Sequence, residues 1–247
     1  MYGWEENEHT SYFSDSDKGM WYRFSPATNN PQFAPFFIIL HGHGNFPPTK
    51  FSHPDWNVLN PLDNFGLNGN GSWWKGEDNN YQTQNLFDKI LNEVLGRVGQ
   101  ELATAIICMY GSSMGGYGCI LHGARIGAKA VYANVPQIKL LGSTYSEKGM
   151  KRYFREVFDE DSIPIENDLS LYVEEIQTTH PLYFICENRF GQENYLTEQC
   201  MSFIKSLDNL NLNYHLEIIP TTGHNKNRGI NDVRKLFEQY VLSGKED

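Results

Sequence analysis

Ser113 lies in a glycine-rich turn whose residue types suit nucleophilic chemistry. The run from Ala105 to Tyr110 is apolar and partly β-branched, which predicts a buried strand, and it breaks into GSSMG, a G-x-S-x-G pattern, before a helix-like segment. Glycines at such a bend avoid collisions with neighbouring backbone, and the helix N-terminus directs unpaired N–H groups at an attacked carbonyl. The pattern predicts that Ser113 is a nucleophile. An ordinary glycine-rich turn and a phosphate-cradling loop are the alternatives.

A histidine and two acids follow predicted strands later in the chain. His224 comes after the predicted last strand, Tyr214 to Ile219, within the sequence TTGHN. Glu187 directly follows the predicted strand Leu182 to Cys186, and Glu193 stands slightly further along. A histidine that a carboxylate orients can act as general base on a serine hydroxyl. We therefore predict His224 as the base and Glu187 as its orienting acid, with Glu193 as the alternative acid.

The sequence HGHGN follows the apolar run Phe36 to Leu40 and supplies candidate donors for an oxyanion hole. Glycine lets such a loop approach a substrate closely, so a loop N–H can join the N–H of Met114 at a developing oxyanion. We expect the loop donor to be His43, with Gly42 as the alternative. The H-x-H spacing of His41 and His43 also suits a metal ion, but no second cluster has ligand spacing, so the sequence predicts no metal site.

Two further segments contain candidate substrate contacts. Residues 45–80 form a long polar and aromatic stretch, predicted as a loop, in which Trp73 and Trp74 suit a sugar or nucleotide ring. Residues 138–180 are predicted as a helical lid insertion whose basic patch, with Lys151 and Arg152, suits an anionic substrate. The alternatives are aromatic packing onto the body and a solvated helix face. Other candidate cations are Lys148, Arg155, Lys226 and Arg228.

The order of predicted elements indicates the fold class. Strand-like runs alternate with helical patterns, as in the amphipathic helix predicted for Tyr81 to Val98 and the terminal helix predicted from about Ile230 to Leu242. Such alternation predicts a doubly wound, mostly parallel α/β sheet with helices on both faces. Ligands bind such sheets beyond the carboxyl ends of the strands, where every candidate residue would lie. A length of 247 residues without internal repeats predicts a single domain, 1–247.

Composition excludes several classes of protein. A formal net charge of −10 argues against general binding to nucleic acid or to anionic membranes. The four cysteines lack disulfide or zinc-ligand spacing and are predicted to be reduced. The N-terminus has no signal-peptide pattern, and no stretch approaches the roughly 18 apolar residues of a membrane span. We expect a cytoplasmic protein.

The motifs HGHGN, YGSSMGGYG, ANVPQ and TTGHN together resemble α/β-hydrolase-like O-acetyltransferases of bacterial capsular polysaccharide biosynthesis. The resemblance covers most of the chain, from about Phe36 to Tyr240. It implies an α/β-hydrolase-like fold, acetyl-CoA as co-substrate and an acetyl group carried by Ser113. It also implies an anionic acceptor, a polymer of N-acetylmannosamine 1-phosphate. The acid position departs from many relatives, since Glu187 stands where an aspartate is common.

Two other classes of function stay open from the sequence. A carbohydrate acetyl esterase would use the same residues but would let water attack the acyl-enzyme. A non-catalytic scaffold in a glycan assembly complex would usually lack a triad member, whereas Ser113 and His224 are both present. Association into homo-oligomers or with capsule-assembly enzymes is also open.

Overall fold

A computed structural model gives the architecture of the chain. It describes residues 3–15, 18–44, 46–159, 161–176, 178–224 and 227–243. Eight strands form one sheet in the order β1-β2-β4-β3-β5-β6-β7-β8. The strands are β1 (Thr10–Asp15), β2 (Lys18–Ser25), β3 (Phe36–Leu40), β4 (Asn57–Pro61), β5 (Ile107–Ser112), β6 (Ala130–Asn134), β7 (Leu182–Phe190) and β8 (Tyr214–Thr222).

Among the described strands, only β2 runs against the others. β1 and β2 are antiparallel to each other and β2 is antiparallel to β4, whereas all other neighbouring strands are parallel. The central strands β3 and β6 are buried along their whole length, as expected of a sheet covered on both faces. The predicted doubly wound, mostly parallel α/β fold is confirmed.

In the part of the chain that the structure describes, six α-helices cover the sheet. They are α1 (Gln82–Arg97), α2 (Met114–Ile126), α3 (Lys151–Val157), α4 (Leu169–Glu175), α5 (Ser202–Asn209) and α6 (Ile230–Phe237). Short 3₁₀ turns lie at Leu67–Gly69 and Ile165–Asn167, and π-helical segments lie at Ser146–Met150, Leu196–Met201 and Glu238–Leu242. The first five helices contribute to one apolar cluster and α6 to a second cluster on the other face. Within the described residues, no helix is long and apolar enough to cross a membrane.

Three elements differ from the sequence prediction. β4 lies inside the stretch 45–80, for which the sequence predicts a loop. Its polar residues can be buried in a strand because backbone carbonyl groups accept their side-chain hydrogen bonds. Asn57 Nδ2 donates to Ala34 O (3.1 Å), and Asn60 Nδ2 donates to Ile39 O (2.8 Å). β1 was also missed. β7 extends past Cys186, so the acid candidate Glu187 lies within the strand rather than in a loop.

The predicted lid insertion, 138–180, divides into two parts. Its last helix, α4, contacts α2 and α5 and is buried at Leu169 and Val173, so it belongs to the body of the fold. A parallel crossover from β6 to β7 requires such a covering helix. The part that precedes α4 contains the π-helical segment and α3.

Candidate active site

Ser113 occupies a sharp bend between β5 and α2. Its backbone has φ 57° and ψ −119°, outside the regions that L-residues prefer, and it immediately precedes the first helical residue, Met114. A Cβ on Gly115 would lie 2.3 Å from Leu40 O, and one on Gly111 would lie 2.2 Å from Gly115 O. Both glycines of the G-x-S-x-G pattern are therefore required by close backbone contacts.

The oxyanion candidates converge on this bend. The first intrahelical hydrogen bond joins Tyr117 N to Ser113 O (3.0 Å), so the N–H of Met114 is one of the helix donors without an intrahelical acceptor. On the other side, a Cβ on Gly42 would lie 3.8 Å from the Ser113 Cβ. The loop after β3 thus packs directly against the serine, with His43 as its next residue. Asn45 of this loop lies outside the described residues.

His41 is a structural residue of this loop. Its Nε2 accepts a hydrogen bond from Asp63 N (2.8 Å), and its Nδ1 lies 2.7 Å from Gly42 O. These partners place the ring proton on Nδ1, and burial lowers the pKa of His41 to about 4, so the ring is neutral. Both ring nitrogens are engaged. No group of three or more candidate metal ligands occurs in the described parts of the chain.

His43 faces the space beneath α3. Its ring stacks on Trp73 (centroids 5.4 Å apart) and meets the edge of Tyr153 (4.4 Å). Its Nε2 is buried without a hydrogen-bond partner. Burial, and then the nearby charge of Arg152, lower the pKa of His43, so the ring is predominantly neutral at pH 7.

The prediction that Trp73 and Trp74 present their rings to substrate is wrong, because both side chains are 0% exposed. The buried carboxylate of Asp63 fixes this segment by accepting hydrogen bonds from Ser72 N and Trp74 N (both 2.8 Å). Trp73 reaches the site only indirectly, through its stacking on His43. Packing of the long aromatic segment onto the body explains the pattern.

The segment that carries His224 extends over the ends of β5 and β6. Asn134 O accepts from Ser113 N (2.9 Å), while its Oδ1 accepts from Asn227 N (3.2 Å), so one residue joins the serine bend to the histidine loop. Asn188 Nδ2 also donates to Gly223 O (3.1 Å). The loop is therefore anchored on both sides of His224.

The His224 ring contacts two tyrosines, which also contact each other. Tyr145 stacks parallel to it (centroids 6.2 Å, 18°), and Tyr195 meets it edge-on (5.3 Å). Its Nε2 is buried without a hydrogen-bond partner, and burial lowers the pKa of His224. A neutral imidazole with a free nitrogen is the form that can accept a proton.

The two acid candidates have opposite environments. Glu187 is 1% exposed, its Oε1 accepts from Asn188 N (2.8 Å), and its Oε2 is buried without a partner. Burial raises the pKa of Glu187 to about 8. Glu193 is exposed and pairs with Lys148, which lowers its pKa. The alternative acid is thus a surface ion-pair residue. Glu187 makes no hydrogen bond to His224 in this structure.

The cations of the predicted lid patch are largely engaged by neighbouring groups. Lys151 pairs with Glu147 (3.0 Å), and Arg152 lies over the ring of Tyr153 (4.7 Å). Arg228, outside the lid, pairs with Glu217. The side chains of Lys148 and Lys151 stay accessible to solvent although acids offset their charges, and Arg152 lies near His43, so binding of an anionic substrate by this patch stays a prediction. Lys226 lies outside the described residues.

A cavity of about 310 Å³ is lined by the loop after β3 and by the end of β5. Gly42 and Ser112 form its inner wall, and Ser112 Oγ is buried without a hydrogen-bond partner. Phe46, Pro47 and Ile230 form much of the outer, apolar wall. Ser113 does not line this cavity, which reaches the bend through the neighbouring residue Ser112.

Sequence reasoning missed three residues that surround the site. Gln137 is fully buried, and its Oε1 accepts from Trp73 Nε1 (2.5 Å). Tyr195 donates to Val135 O (3.0 Å), and both Tyr195 and Tyr145 hold the His224 ring. Gln137 could have been found from its position directly after β6. The two tyrosines carry no local signal, because only the folded chain brings them to His224.

Comparison with known proteins gives a result at the level of fold. No protein-family model and no curated protein matches the sequence. An S-formylglutathione hydrolase from Agrobacterium tumefaciens is similar, with a TM-score of 0.64 at 13% identity over 95% of this chain and 92% of that chain. A ferulic acid esterase has a TM-score of 0.61 at 14% identity over 87% and 90%. An acylaminoacyl peptidase from Pyrococcus horikoshii has a TM-score of 0.69 at 14% identity over 97% of this chain but only 42% of that chain.

The fold is that of the α/β-hydrolases. In the α/β-hydrolase fold, the nucleophile follows the strand in the position of β5 and the histidine follows the last strand. Ser113 and His224 occupy those positions. Donors at Met114 and the His43 loop face the bend, so the arrangement has the parts required for acyl transfer through serine.

Proposed function

We propose that this protein is a cytoplasmic serine O-acetyltransferase that carries an acetyl group from acetyl-CoA to a sugar hydroxyl of a capsular polysaccharide. The observation that carries the proposal is the strained bend at Ser113, with φ 57° and ψ −119°, between the first helical N–H of α2 and the Gly42 loop. Such a backbone is found where a fold presents a nucleophile.

The residues would divide the chemistry as follows. Ser113 Oγ attacks the thioester carbonyl while His224 accepts the hydroxyl proton, and the thiolate of coenzyme A leaves with that proton. The sugar hydroxyl then attacks the acyl-enzyme and gives its proton to His224, which returns it to Ser113. N–H groups of Met114 and of His43 or Gly42 stabilise both oxyanions, and loss of one such donor typically costs about 3–4 kcal/mol.

Glu187 is the proposed orienting acid. Its Oε2 is buried without a partner, and both Glu187 and His224 are near Tyr195: the His224 ring lies 5.3 Å from the Tyr195 ring, and burial and then the Glu187 charge raise the pKa of Tyr195. In the proposed reaction, the imidazolium that forms on His224 favours ionised Glu187, so their interaction strengthens as the proton is transferred.

The acceptor is proposed from the resemblance of the motifs to the capsule O-acetyltransferase of serogroup A meningococci. That resemblance favours a polymer of N-acetylmannosamine 1-phosphate. The long lid segment and the buried aromatic residues around His43 favour transfer over hydrolysis, since both limit the access of water to the acyl-enzyme.

A carbohydrate acetyl esterase is the second candidate. The similarity of the fold to that of two esterases over about nine-tenths of each chain supports it. The two functions share Ser113, His224 and the oxyanion donors. They differ only in whether water or a sugar attacks the acyl-enzyme.

The test is to incubate the purified protein with [¹⁴C]acetyl-CoA, with and without N-acetylmannosamine 1-phosphate oligomers, beside a Ser113→Ala variant. We expect label in the oligomer only when Ser113 is present. Ser112→Ala is the matched control, because its hydroxyl adjoins the nucleophile without occupying the bend. Acetate released regardless of acceptor would support the esterase. If Ser113→Ala were as active as wild type, the acyl-enzyme proposal would be overturned.

A further inference from the structure

A second cavity, of about 560 Å³, lies at the N-terminal hairpin, away from Ser113. Its lining consists of three aromatic and two acidic residues: Trp4, Glu5, Glu6, Tyr12 and Trp21. None of these residues takes part in the proposed acyl transfer. The cavity therefore requires a separate explanation.

Two of the aromatic rings form a platform on the sheet. Tyr12 and Trp21 are directly opposite each other on β1 and β2, and their ring centroids are 5.2 Å apart at 50°. Tyr12 is 42% exposed. Its ring lies over Gly19, where an added Cβ would be 2.5 Å from the ring, so the missing side chain at Gly19 makes room for the platform.

The platform is open rather than enclosed. The third aromatic residue, Trp4, is only 4% exposed, and its Nε1 donates to Phe46 O (2.7 Å). A cage for an organic cation surrounds the cation with several ring faces. Of the residues that line this cavity, only Tyr12 and Trp21 leave ring surface accessible, and their planes are tilted by 50°, so they do not enclose a cation, whereas a flat sugar ring can pack on one of them.

The rim of the cavity supplies hydrogen-bond acceptors. Glu5 and Glu6 are exposed, and in the described part of the chain neither carboxylate forms an ion pair. Carboxylates accept hydrogen bonds from hydroxyl groups and repel anions. A pyranose ring has both required features: a C–H face that packs on an electron-rich aromatic face, and hydroxyls at its edge.

The linings of the two cavities are linked by a contact between Trp4 and Phe46. Phe46 and Pro47 line the cavity beside Ser112, and the same residues contact the N-terminal segment. Trp4 bonds to Phe46 O, and a Cβ on Gly3 would lie 3.2 Å from the Pro47 Cβ. A chain that leaves the nucleophile over Phe46 and Pro47 would therefore reach the aromatic platform.

We propose that Tyr12, Trp21, Glu5 and Glu6 form a distal subsite that binds one sugar residue of the acceptor glycan by its ring face and hydroxyls. The subsite rests on the proposed function in one respect, namely that the glycan it binds is the acceptor of the acetyl group. Its effect is to hold a polymer at a distance from the reacting hydroxyl, so that long acceptors bind more tightly than short ones. The carboxylates direct the phosphate groups of an anionic polymer away from this position.

The binding test uses the full chain with Ser113→Ala, so that no turnover occurs. Saturation-transfer NMR is recorded with a long N-acetylmannosamine 1-phosphate oligomer, with methyl N-acetylmannosaminide and with tetramethylammonium as probes. We expect sugar-ring protons of the oligomer to receive saturation from the protein. In Tyr12→Ala or Trp21→Ala, we expect the sugar at the distal subsite to receive none. Phe33→Ala, at an aromatic residue that is 78% exposed elsewhere, is the matched control.

The kinetic test uses wild-type Ser113. We expect Trp21→Ala to raise KM for the long oligomer at least ten-fold, with no change for the monosaccharide acceptor or for p-nitrophenyl acetate hydrolysis. The paired variant Glu5→Gln and Glu6→Gln leaves the aromatic packing intact and keeps an acceptor oxygen at each position, so it should change the same KM by a smaller factor than Trp21→Ala. Retained hydrolysis shows that the variants are folded.

Three outcomes would overturn the subsite. The first is an unchanged KM for the long oligomer in Trp21→Ala. The second is transfer of saturation to tetramethylammonium and not to the sugar. The third is a loss of saturation transfer in Phe33→Ala as large as that in Trp21→Ala. The subsite and the proposed function fail separately. If sugar binding depends on Trp21 but no acetyl transfer occurs, the subsite is supported and the transferase is rejected. If transfer depends on Ser113 but Trp21→Ala behaves like wild type, the transferase is supported and the subsite is rejected.

Discussion

The backbone of Ser113 has φ 57° and ψ −119°, which costs an L-residue on the order of 1–3 kcal/mol. The surrounding contacts that hold it there are the bond from Ser113 N to Asn134 O (2.9 Å) and the packing of Gly42 against its side chain. The conformation serves presentation of the hydroxyl rather than stability.

This strain predicts the effect of glycine at the same position. Ser113→Gly and Ser113→Ala both remove the nucleophile, but glycine adopts positive φ without the steric cost. We expect Ser113→Gly to unfold at a higher urea concentration than Ser113→Ala, with a difference in unfolding free energy of about 1 kcal/mol after the greater chain entropy of glycine is included. Equal stability of the two variants would contradict the assignment of strain.

Glu187 gives a prediction for activity and its pH dependence. Its pKa is about 8, above the ordinary value of 4.5, so the carboxyl is mostly protonated at pH 7 and ionises as pH rises. If ionised Glu187 orients His224, kcat/KM in the free enzyme increases with pH through about 8. Protonation of His224, whose pKa is lowered from 6.5 by burial, causes a second loss of activity below pH 6.5.

The variants that test this are Glu187→Gln and Glu193→Gln. We expect Glu187→Gln to reduce kcat by up to about 10⁴-fold, as when an orienting carboxylate is lost. We also expect kcat/KM of this variant no longer to increase with pH near pH 8. Glu193→Gln removes only a surface pair with Lys148 and should change kcat less than two-fold. Full activity in Glu187→Gln, measured from pH 5 to 9, would exclude it as the acid.

The element on which the site depends most is the turn from β5 into α2. Gly115 touches Leu40 O and His41 O of the oxyanion loop, so this turn and that loop share one interface without a side chain between them. Any side chain there would separate the two segments that carry the proposed oxyanion donors. Close glycine contacts therefore set the geometry of the site as much as the polar residues do.

Gly115→Ala tests this dependence. Its Cβ would lie 2.3 Å from Leu40 O and 2.7 Å from His41 O, so we expect a loss of about 2 kcal/mol or more in unfolding free energy and a strong fall in kcat. Gly96→Ala in α1 is the matched control, because nothing lies within 4 Å of its added Cβ. That change should stabilise the protein by about 0.5–1 kcal/mol. Thermal unfolding and p-nitrophenyl acetate hydrolysis measure both effects.

At the scale of the whole molecule, the segment after the buried tryptophans fastens the lid to the body. Asp78 N donates to Glu156 O (3.0 Å), Asn79 N to Val157 O (3.1 Å) and Asn79 Nδ2 to Ser162 O (2.8 Å). Lys75, which lies in the same segment, is 0% exposed. Its Nζ donates to Asn79 Oδ1 (2.8 Å) and lies over the ring of Tyr81 (4.1 Å).

Burial lowers the pKa of Lys75 to about 8 from 10.5, which makes this contact depend on pH. Between those values the unfolded chain binds a proton that the folded chain has released, so this group's contribution to stability increases as pH rises from about 8 to 10.5. We expect the stability of wild type relative to Lys75→Met to increase over that range in urea unfolding. A difference that is independent of pH would show that Lys75 has an ordinary pKa.

Local patterns in the sequence are sufficient to predict the residue types at the site and the class of fold. The β-branched run before Ser113, the glycines around it and the position of His224 after the last strand are local patterns, because each results from steric and hydrogen-bonding rules within a few residues. The alternation of strands and helices likewise predicts the parallel sheet. These features need no knowledge of distant contacts.

Only the tertiary structure decided how the candidates are placed. Trp73 and Lys151 have the composition of ligand-binding residues, but the fold buries the first and pairs the second with Glu147. Glu187 and Glu193 are alike in sequence, and burial beside Tyr195 distinguishes them from each other. Burial and ion pairing arise from elements that are far apart in the chain, so no local pattern contains them.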